Sequence, residues 1–352
     1  MTSPSYILMT AAHNEARFLP DTIASVLAQT VRPRAWIIVS DKSTDDTDRI
    51  AAEAAEAHDF IRFLRFENPL PRSPYPMGGT SWKKVSALRA GLAALGEDYA
   101  DGGADGGADG GTWDYIGNLD ADVTFAPGYY ATLMERMQAS PGLGMAGGFI
   151  YNASDGREWP YFVNPEVVGG PSQFFRRAAW EQIDGYVPWG QEDSIAQMMA
   201  RMHGWRVRSF DDLRVLHHKT AKEKGRRPLN SRFYAGKMER ALGYHPLYEA
   251  AKCLGQLRKK PVVLGSLAQL SGYTWAAWKN IRTELPEEVV AFNRRQQLQS
   301  LRSRLAGKRG AAREPASPAG PLSSAGLRSP GSPDLLKAHS RTPRSPSGTI
   351  PE

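Results

Sequence analysis

Two aspartates separated by one residue give the strongest chemical signal in this sequence. Asp120-Ala121-Asp122 follows the apolar run Trp113–Leu119, which is predicted to be a strand. A carboxylate loses favourable hydration when it leaves water, so two of them together favour a cationic partner. Ligands of open α/β sheets bind beyond the carboxyl ends of the strands, and a divalent cation held there can bridge a nucleotide diphosphate. The structural alternative is a solvated turn that contains two aspartates.

A second pair of carboxylates, Glu192 and Asp193, begins a predicted helix over residues 192–203. The positive N-terminal end of a helix lowers a carboxyl pKa, whereas burial and a neighbouring phosphate raise it. A carboxylate in this position could accept the proton of an attacking hydroxyl group. Acidic residues also favour helix starts without any chemical role, and that alternative stays open.

Three further segments place polar residues after a predicted strand or on the helix before the central strand. Asp41 could accept hydrogen bonds from a nucleobase or a ribose, or it could cap the next helix. Lys84 could neutralise phosphate charge, or it could be a solvated lysine on a helix. The three segments are Ala11–Leu19, Ser40–Thr47 and Lys84–Leu92.

These segments need an α/β sheet to bring them together. Residues 6–215 alternate apolar runs with amphipathic segments, which is the pattern of a mainly parallel sheet flanked by helices. Loops at the carboxyl ends of such strands meet in one crevice, so the segments are expected to converge there. The predicted strands are 6–9, 36–39, 61–66, 113–119, 144–151 and 207–216, and the predicted helices are 20–29, 81–95 and 192–203.

The composition limits the class of protein and its compartment. The 352 residues include a single cysteine, Cys253, which excludes an internal disulfide and fits a reducing compartment. No basic segment precedes an apolar one at the N-terminus, so a cytoplasmic protein is expected. From Arg294 onward there are 11 basic and 3 acidic residues, whereas the preceding residues include 33 and 34. A nucleic-acid partner is therefore not expected, because the core lacks a basic surplus.

The sequence changes character after residue 225. Residues 226–305 are predicted to form a helical extension, and residues 306–352 a disordered, basic tail rich in proline and serine. Residues 261–278 carry no charge, include Trp275 and Trp278, and predict a helix at a membrane surface or partner, a packed core helix or a membrane span. Three Ala-Asp-Gly-Gly copies over residues 100–111 predict a surface loop.

In their order along the chain, the chemically suggestive segments resemble the GT-A catalytic domain of family 2 glycosyltransferases. The resemblance covers roughly residues 4–220, so residues 1–225 are interpreted as the catalytic domain. Ser40 departs from the family pattern, which commonly has the first of two acidic residues there, and Arg89 stands where many members have asparagine. The Ala-Asp-Gly-Gly repeat is an insertion without a counterpart in the family.

The resemblance implies a GT-A fold, a nucleotide-diphosphate sugar as donor, and Mg²⁺ or Mn²⁺ as cofactor. It implies that Asp193 is the catalytic base and that His217 is a further metal or diphosphate ligand, unless His217 is a buried structural histidine. Asp122 is the better metal ligand of its pair, and Asp120 would orient the ribose or the donor sugar. The residues expected in the donor site are Ala11, Asn14, Glu15, Asp41, Lys84, Asp120 and Asp122. The residues expected in the acceptor site are Glu192, Gly170 and Pro171. Gly170 would let the backbone approach the substrate, or it would simply form a turn.

The resulting hypothesis is an inverting glycosyltransferase that acts on a lipid-linked saccharide or a surface polysaccharide. The interfacial tryptophans and the basic tail predict a peripheral contact with the inner face of the cell membrane. A metal-dependent sugar nucleotidyltransferase is one alternative, but Ala11–Leu19 lacks a glycine-rich loop for a triphosphate. A non-catalytic, membrane-associated nucleotide-sugar-binding protein is the other, but Asp122 and Asp193 are both present.

Overall fold

A computed structural model describes residues 4–67, 81–96, 113–219, 228–257, 261–282 and 285–305. The Ala-Asp-Gly-Gly repeat, the basic residues 258–260 and the tail predicted from residue 306 lie outside the described residues. The strands are β1 (Tyr6–Ala12), β2 (Ala35–Asp41), β3 (Ile61–Phe66), β4 (Tyr115–Asn118), β5 (Val123–Phe125), β6 (Leu143–Ser154), β7 (Arg157–Phe162), β8 (Phe174–Arg176) and β9 (Arg206–His217). The helices are α1 (Leu19–Leu27), α2 (Thr47–Ala57), α3 (Ser81–Ala94), α4 (Tyr129–Gln138), α5 (Arg177–Gln182), α6 (Glu192–Met202), α7 (Pro228–Ala241), α8 (Pro246–Gly255), α9 (Leu264–Trp278) and α10 (Glu287–Leu305), with a short 3₁₀ helix at Gly170–Ser172.

The nine strands of the described residues form one mixed sheet, in the order β3-β2-β1-β4-β8-β6-β9-β5, and β7 pairs with β6. β1 runs parallel to β2 and β4, β2 to β3, and β6 to β9. The other pairings, which involve β5, β7 and β8, are antiparallel. The predicted α/β fold with a helix-flanked mixed sheet is confirmed. Half of the pairings are antiparallel because short strands that apolar periodicity did not reveal complete the sheet.

β1 shows why the N-terminal strands could be predicted from sequence. Ile7 and Met9 lie in the apolar cluster on one face of the sheet, whereas Tyr6 and Leu8 lie in the cluster on the other. Strands that are covered on both faces read as continuous apolar runs. Because β1, β2 and β4 are parallel neighbours, their carboxyl ends open at the same edge of the sheet.

Helix α3 lies close against β2 because of Gly91. A β-carbon at this position would lie 2.6 Å from Val39 Cγ2 and 3.2 Å from Ile37 Cγ1, so a larger residue would push the helix away. Lys84 stands about two helical turns before Gly91. The close packing therefore carries the lysine to the carboxyl ends of the central strands.

In the helical extension, α7 and α9 cross in very close contact. β-carbons on Gly236 and Gly272 would collide with the backbone carbonyls of Gln269 and Phe233, respectively. Gln269 also donates from Nε2 to the fully buried Glu249 at 3.0 Å, which ties α9 to α8. One side of α9 is thus packed against neighbouring helices, in agreement with the prediction of a packed core helix for residues 261–278.

A second side of α9 is apolar and exposed. Its side chains are Leu264, Leu267, Leu270, Trp275 and Trp278, and Trp278 is 76% exposed. The helix has 15 residues. Within the part of the chain that the structure describes, no helix is long and apolar enough to cross a membrane.

Helix α10 joins the extension to the α/β part of the chain. Leu285, at its approach, and Val289 are buried in the same apolar cluster as Ile195 and Met199 of α6. The extension therefore completes the core behind α6, the helix that begins with Glu192 and Asp193. The domain boundaries 1–225, 226–305 and 306–352 stay predictions.

Candidate active site

The parallel strands bring several of the predicted site residues to one edge of the sheet. Ala11 lies near the end of β1, Asp41 ends β2, and Asp120 and Asp122 follow β4. Asp41 and Asp122 are buried, so neither carboxylate belongs to a freely solvated turn. The alternative interpretation of Asp120-Ala121-Asp122 as a solvated turn is therefore wrong for Asp122.

Lys84 stands at the centre of a carboxylate cluster at this edge. Its Nζ donates to Asp120 Oδ1 at 2.7 Å and lies 3.7 Å from Glu192 Oε1. Burial opposes the ammonium charge, but the carboxylates of Asp120 and Glu192 outweigh it and hold the pKa of Lys84 above its ordinary value. Lys84 is therefore a protonated counter-charge held by two carboxylates, and the alternative of a solvated helix lysine is wrong.

Asp193 lies beside this cluster in the first turn of α6. Its Oδ1 accepts a hydrogen bond from Ser194 N at 2.7 Å, and its Oδ2 lies against Gly170, where a β-carbon would approach to 2.9 Å. Burial raises the pKa of Asp193 to about 6, and the charge of Glu192 contributes to the rise. The carboxyl group is therefore mostly ionised at neutral pH, yet it is a stronger base than an ordinary aspartate.

The turn that contains Gly170 and Pro171 is fixed against the end of β4. Asn118 Nδ2 donates to Gly170 O at 2.6 Å, and Asp120 N donates to Pro171 O at 3.0 Å. A side chain at position 170 would displace the carboxylate of Asp193. Gly170 thus allows the backbone of this turn to lie close to the Asp193 carboxylate.

Asp41 lies at the end of β2 with one unsatisfied oxygen. The residue is 8% exposed, and in the described part of the chain its Oδ1 has no hydrogen-bond partner. Helix α2 begins at Thr47 with Asp46 in the N-cap position, so the predicted alternative of a capping role for Asp41 is wrong. A buried oxygen without a partner is costly, and a hydrogen bond donated by a ligand would remove that cost.

Asn14 and Glu15 tie the loop after β1 to its neighbours. Asn14 adopts a φ of 56°, and its Oδ1 accepts a hydrogen bond from Thr44 N at 2.8 Å. Glu15 N donates to Thr47 Oγ1 at 2.8 Å, and its Oε1 lies 2.6 Å from Lys219 Nζ. These contacts join the ends of β1, β2 and β9.

Asp122 and His217 form a buried pair, each 4% exposed, with Oδ2 and Nε2 3.3 Å apart. His217 Nδ1 lies 3.0 Å from Asn152 Oδ1, so with the amide oxygen in this orientation Nδ1 donates the hydrogen bond. Nε2 then faces a carboxylate oxygen, and two such atoms require a proton or a cation between them.

This pair fits a divalent cation. Two ligand atoms bound to one octahedral Mg²⁺ at about 2.1 Å lie about 3 Å apart, close to the spacing of Oδ2 and Nε2. No cluster of three or more metal-binding side chains occurs among the described residues. Such ions commonly take one or two protein ligands and complete their shell with substrate phosphates and water.

Four neighbours of these groups were not singled out from the sequence: His13, Asn152, Tyr161 and Lys219. His13 Nδ1 lies 2.6 Å from the backbone oxygen of Asp41, and the Tyr161 ring stacks on His217 at 5.6 Å. Lys219 follows a predicted strand end and could have been noticed there. Asn152 and Tyr161 carry no such signal, since strand pairing alone brings them to His217.

Comparison with known proteins identifies the N-terminal segment. Residues 8–71 match the family model described as Glycosyl transferase family 2. The matched residues include most of β1 and all of β2 and β3, and with them Ala11, Asn14, Glu15 and Asp41. No curated protein matches the chain.

Solved structures are similar to most of this chain at low sequence identity. GalNAc-T7 with UDP, GalNAc and Mn²⁺ is 12% identical, and the match covers 86% of this chain and 57% of that chain with a TM-score of 0.51. Mannosyltransferase PcManGT from Pyrobaculum calidifontis, in complex with GDP-Man and Mn²⁺, is 16% identical over 88% of this chain and 82% of that chain, with a TM-score of 0.48. S. aureus TarS is 12% identical over 79% of this chain and 44% of that chain, with a TM-score of 0.44.

The mixed sheet with its helices and the carboxylates gathered at one edge define a protein of the GT-A fold, as in GalNAc-T7. The chain is a glycosyltransferase. Its resemblance to family 2, expected from the five segments, is confirmed by the match over residues 8–71.

Proposed function

We propose that this glycosyltransferase moves one sugar from a nucleotide-diphosphate sugar to an acceptor hydroxyl with inversion at the anomeric carbon. The observation that carries the proposal is the carboxylate of Asp193, whose pKa is raised to about 6 beside the cluster of Lys84, Asp120 and Glu192. A pKa near the working pH suits a general base. A carboxylate that only stabilises a helix start would instead have a lowered pKa, because its full negative charge interacts favourably with the helix N-terminus.

In the proposed step, the Asp193 carboxylate accepts the proton of the acceptor hydroxyl while that oxygen attacks the anomeric carbon. The bond from this carbon to the diphosphate oxygen breaks, and the nucleoside diphosphate leaves with the electron pair. Attack and departure take place on opposite faces of the carbon, so the configuration inverts. The proton remains on Asp193 until water removes it.

On the donor side, the burial of Asp41 and the charge of Lys84 support two contacts. The unpartnered Oδ1 of Asp41 would accept a hydrogen bond from the base or the ribose. Lys84 would bring positive charge towards the diphosphate, and the Asp120 that it holds would orient the ribose or the donor sugar. The loop that would border the donor carries Ala11, Asn14 and Glu15.

Asp122 and His217 would hold the divalent cation, Mg²⁺ or Mn²⁺, because their facing atoms have the spacing of two ligands on one ion. A bound cation would offset the charge that develops on the departing diphosphate. Asn152 would keep His217 in the tautomer that presents Nε2 to that ion.

On the acceptor side, the contacts around Asp193 support an acceptor site. Gly170 lies against Asp193, Pro171 is anchored to the backbone of Asp120, and Glu192 precedes the base. These residues, with Gly170 and Pro171 supplying a close backbone surface, would hold the attacking hydroxyl near the base.

We further propose that the acceptor is a lipid-linked saccharide or a surface polysaccharide at the inner face of the cell membrane. The support is the exposed apolar side of α9. Lys279 Nζ lies 4.4 Å from the ring centroid of Trp278, and Lys237 Nζ lies 4.7 Å from that of Trp275. Tryptophans beside lysines suit the boundary between headgroups and acyl chains.

The test is release of nucleoside diphosphate by the purified protein across a panel of UDP-, GDP- and TDP-hexoses, with Mg²⁺ or Mn²⁺ and with lipid-extracted or soluble saccharide acceptors. Transfer with an inverted anomeric configuration in the product, read by NMR, supports the proposal. Release of pyrophosphate from a nucleoside triphosphate and a sugar phosphate would instead indicate the nucleotidyltransferase. Donor binding without turnover under every condition would indicate the non-catalytic binding protein.

A further inference from the structure

Strand β7 carries two exposed aromatic side chains near the candidate site. Trp159 is 39% exposed and Tyr161 is 51% exposed. Single exposed apolar residues are common on protein surfaces, so exposure alone does not indicate a ligand. The position of the two rings relative to His217 and Asp193 is the evidence for a ligand-binding role.

A β-bulge turns Tyr161 towards His217. In the pairing of β7 with β6, Pro160 is opposite Tyr151 and Phe162 is opposite Ile150, so the register shifts at Tyr161 between them. Bulges bend a strand and redirect a side chain, and they are frequent beside active sites. Here the Tyr161 ring stacks on the His217 ring with centroids 5.6 Å apart and planes 7° apart.

Trp159 lies in the same row of side chains as the histidine. Asn152 of β6 is opposite Trp159 of β7 on one side and opposite His217 of β9 on the other. Residues opposite each other on neighbouring strands project from the same face of the sheet. The row therefore runs from an exposed tryptophan to a histidine that lies 3.3 Å from Asp122.

The end of β7 also borders the turn beside the candidate base. A β-carbon on Gly169 would lie 3.4 Å from Phe162 Cβ, and the next residue, Gly170, lies against Asp193 Oδ2. Tyr161, which stacks on His217, is thus the neighbour in sequence of the residue that borders this turn.

The aromatic pair lies on the opposite side of the central strand from the proposed nucleobase contact. Asp41 ends β2, and the sheet order places β2 and β1 on one side of β4, and β8 and β6 on the other. β7 pairs with β6, so its rings are separated from Asp41 by the central strand. A ring bound at β7 would therefore not be the nucleobase, and the nearness of β7 to the turn that contacts Asp193 favours the acceptor.

We propose that Trp159 and Tyr161 form a stacking platform for a hexose ring of the acceptor saccharide. This inference rests on the proposed function and adds a binding surface to it. The flat aromatic rings would pack against the apolar C–H face of the sugar, and the sugar hydroxyls would stay in contact with water. The platform would hold the acceptor between the base and the metal pair.

The test measures saccharide binding to the full-length protein loaded with Mn²⁺ and the nucleoside diphosphate of its active donor. Chitotriose, cellotriose and mannotriose serve as probes in titration calorimetry. We expect at least one of them to bind the wild type, and Trp159→Ala and Tyr161→Ala each to weaken that binding about 5- to 10-fold, the worth of one aromatic contact. Tyr161→Phe keeps the ring and should bind like the wild type.

Tyr234→Ala is the matched control, because Tyr234 is also 39% exposed but lies on α7. Hydrolysis of the donor without acceptor and thermal unfolding are measured for every variant, so that donor use and folding are known. Unchanged saccharide binding in both alanine variants, an equal loss in Tyr234→Ala, or a loss of nucleoside diphosphate binding instead overturns the platform.

Donor hydrolysis and saccharide binding together distinguish a failure of the platform from a failure of the proposed function. A wild type that hydrolyses its donor but binds none of the three saccharides overturns the platform and leaves the proposed transfer standing. A wild type that releases no nucleoside diphosphate from any donor overturns the proposed function itself.

Discussion

Asp193 has a raised pKa, of which burial is the main cause, and it lies at the start of α6 beside the cluster of Lys84, Asp120 and Glu192. We expect Asp193→Asn to lower kcat by about 10²–10⁴-fold, because the amide keeps the shape and cannot accept the proton. Donor binding should be retained, as calorimetry with the nucleoside diphosphate would show. Asp155→Asn, an exposed carboxylate in the β6–β7 turn, is the control and should keep full activity. A change confined to KM would assign Asp193 to substrate binding.

The same carboxyl group predicts opposite effects of pH on rate and on stability. The rate should fall as the pH drops through about 6, where Asp193 becomes protonated. The folded state binds this proton more tightly than the unfolded chain, whose carboxyl has its ordinary pKa of 3.8. The folded state therefore loses stability as the pH rises from about 4 to about 6, and the full free-energy cost of the buried charge is present at pH 7.

Asp193→Asn removes that cost. Its Tm should exceed that of the wild type at pH 7, and the difference should become small near pH 4, where the folded wild-type carboxyl is protonated and the unfolded one is close to its pKa of 3.8. Thermal unfolding at the two pH values measures this. An equal Tm difference at both would contradict burial of the charge as its cause.

Asp122 and His217 are expected to bind Mn²⁺ directly, and Asn152 to support them from behind. Asp122→Ala and His217→Ala should abolish Mn²⁺ binding in the presence of nucleoside diphosphate. Asn152→Ala should weaken it about 10- to 100-fold, as for other residues that orient a metal ligand. Electron paramagnetic resonance of free Mn²⁺ gives the affinity without any turnover. Asp59→Ala, on an exposed turn, is the control, and affinities equal to the wild type would exclude this metal site.

The crossing of α7 and α9 depends on two glycines that leave no room for a methyl group. Gly236→Ala and Gly272→Ala should each lower the free energy of unfolding by about 1–3 kcal/mol or more, because the new β-carbon meets backbone that cannot rotate away. Gly255→Ala is the control, since nothing lies within 4 Å of its β-carbon position. It should be neutral or stabilising by less than about 1 kcal/mol. Urea unfolding measures all three, and equal effects would contradict the close crossing.

The exposed side of α9 predicts binding to anionic membranes. Full-length protein should float with vesicles that contain phosphatidylserine and less with pure phosphatidylcholine, and salt should weaken the association, since each lysine or arginine near the surface contributes about 1 kcal/mol. Leu267→Gln and Trp278→Ala replace exposed side chains and leave the α7 contact in place. Val31→Gln changes an exposed apolar residue elsewhere and serves as the control. Unchanged flotation of the two α9 variants would exclude this surface.

The catalytic fold and the helical extension share one apolar core around α6. Leu242, Leu285 and Val289 come from the extension and are buried with Ile195 and Met199 of α6. A fragment of residues 1–225 would expose this cluster, so we expect it to be insoluble or to unfold without a cooperative transition. A fragment of residues 1–315 keeps the cluster and should unfold with a Tm within a few degrees of the full chain. A stable, cooperative 1–225 fragment would show that α6 does not need the extension.

Much of the fold was determined by local sequence. β1 and β2 are apolar runs because both faces of the sheet are covered there, and β3 has the predicted bounds Ile61–Phe66. The same pattern predicted that Asp41, Asp120 and Asp122 lie at one edge of the sheet, because the carboxyl ends of parallel strands lie at the same edge. α3 and α6 were predicted to within one residue because their ends are also marked in the sequence.

Only the tertiary structure decided the partners of the site residues. Lys84 is separated from Asp120 in sequence by more than two turns of helix and a long connection, and its salt bridge depends on the close packing of α3 on β2. Asn152 and Tyr161 reach His217 through strand pairings and a bulge. Short antiparallel strands such as β7 carry little periodicity, since their stability comes from neighbours distant in sequence. The sequence therefore determined which groups could do chemistry, and the pairing of distant strands decided which of them touch.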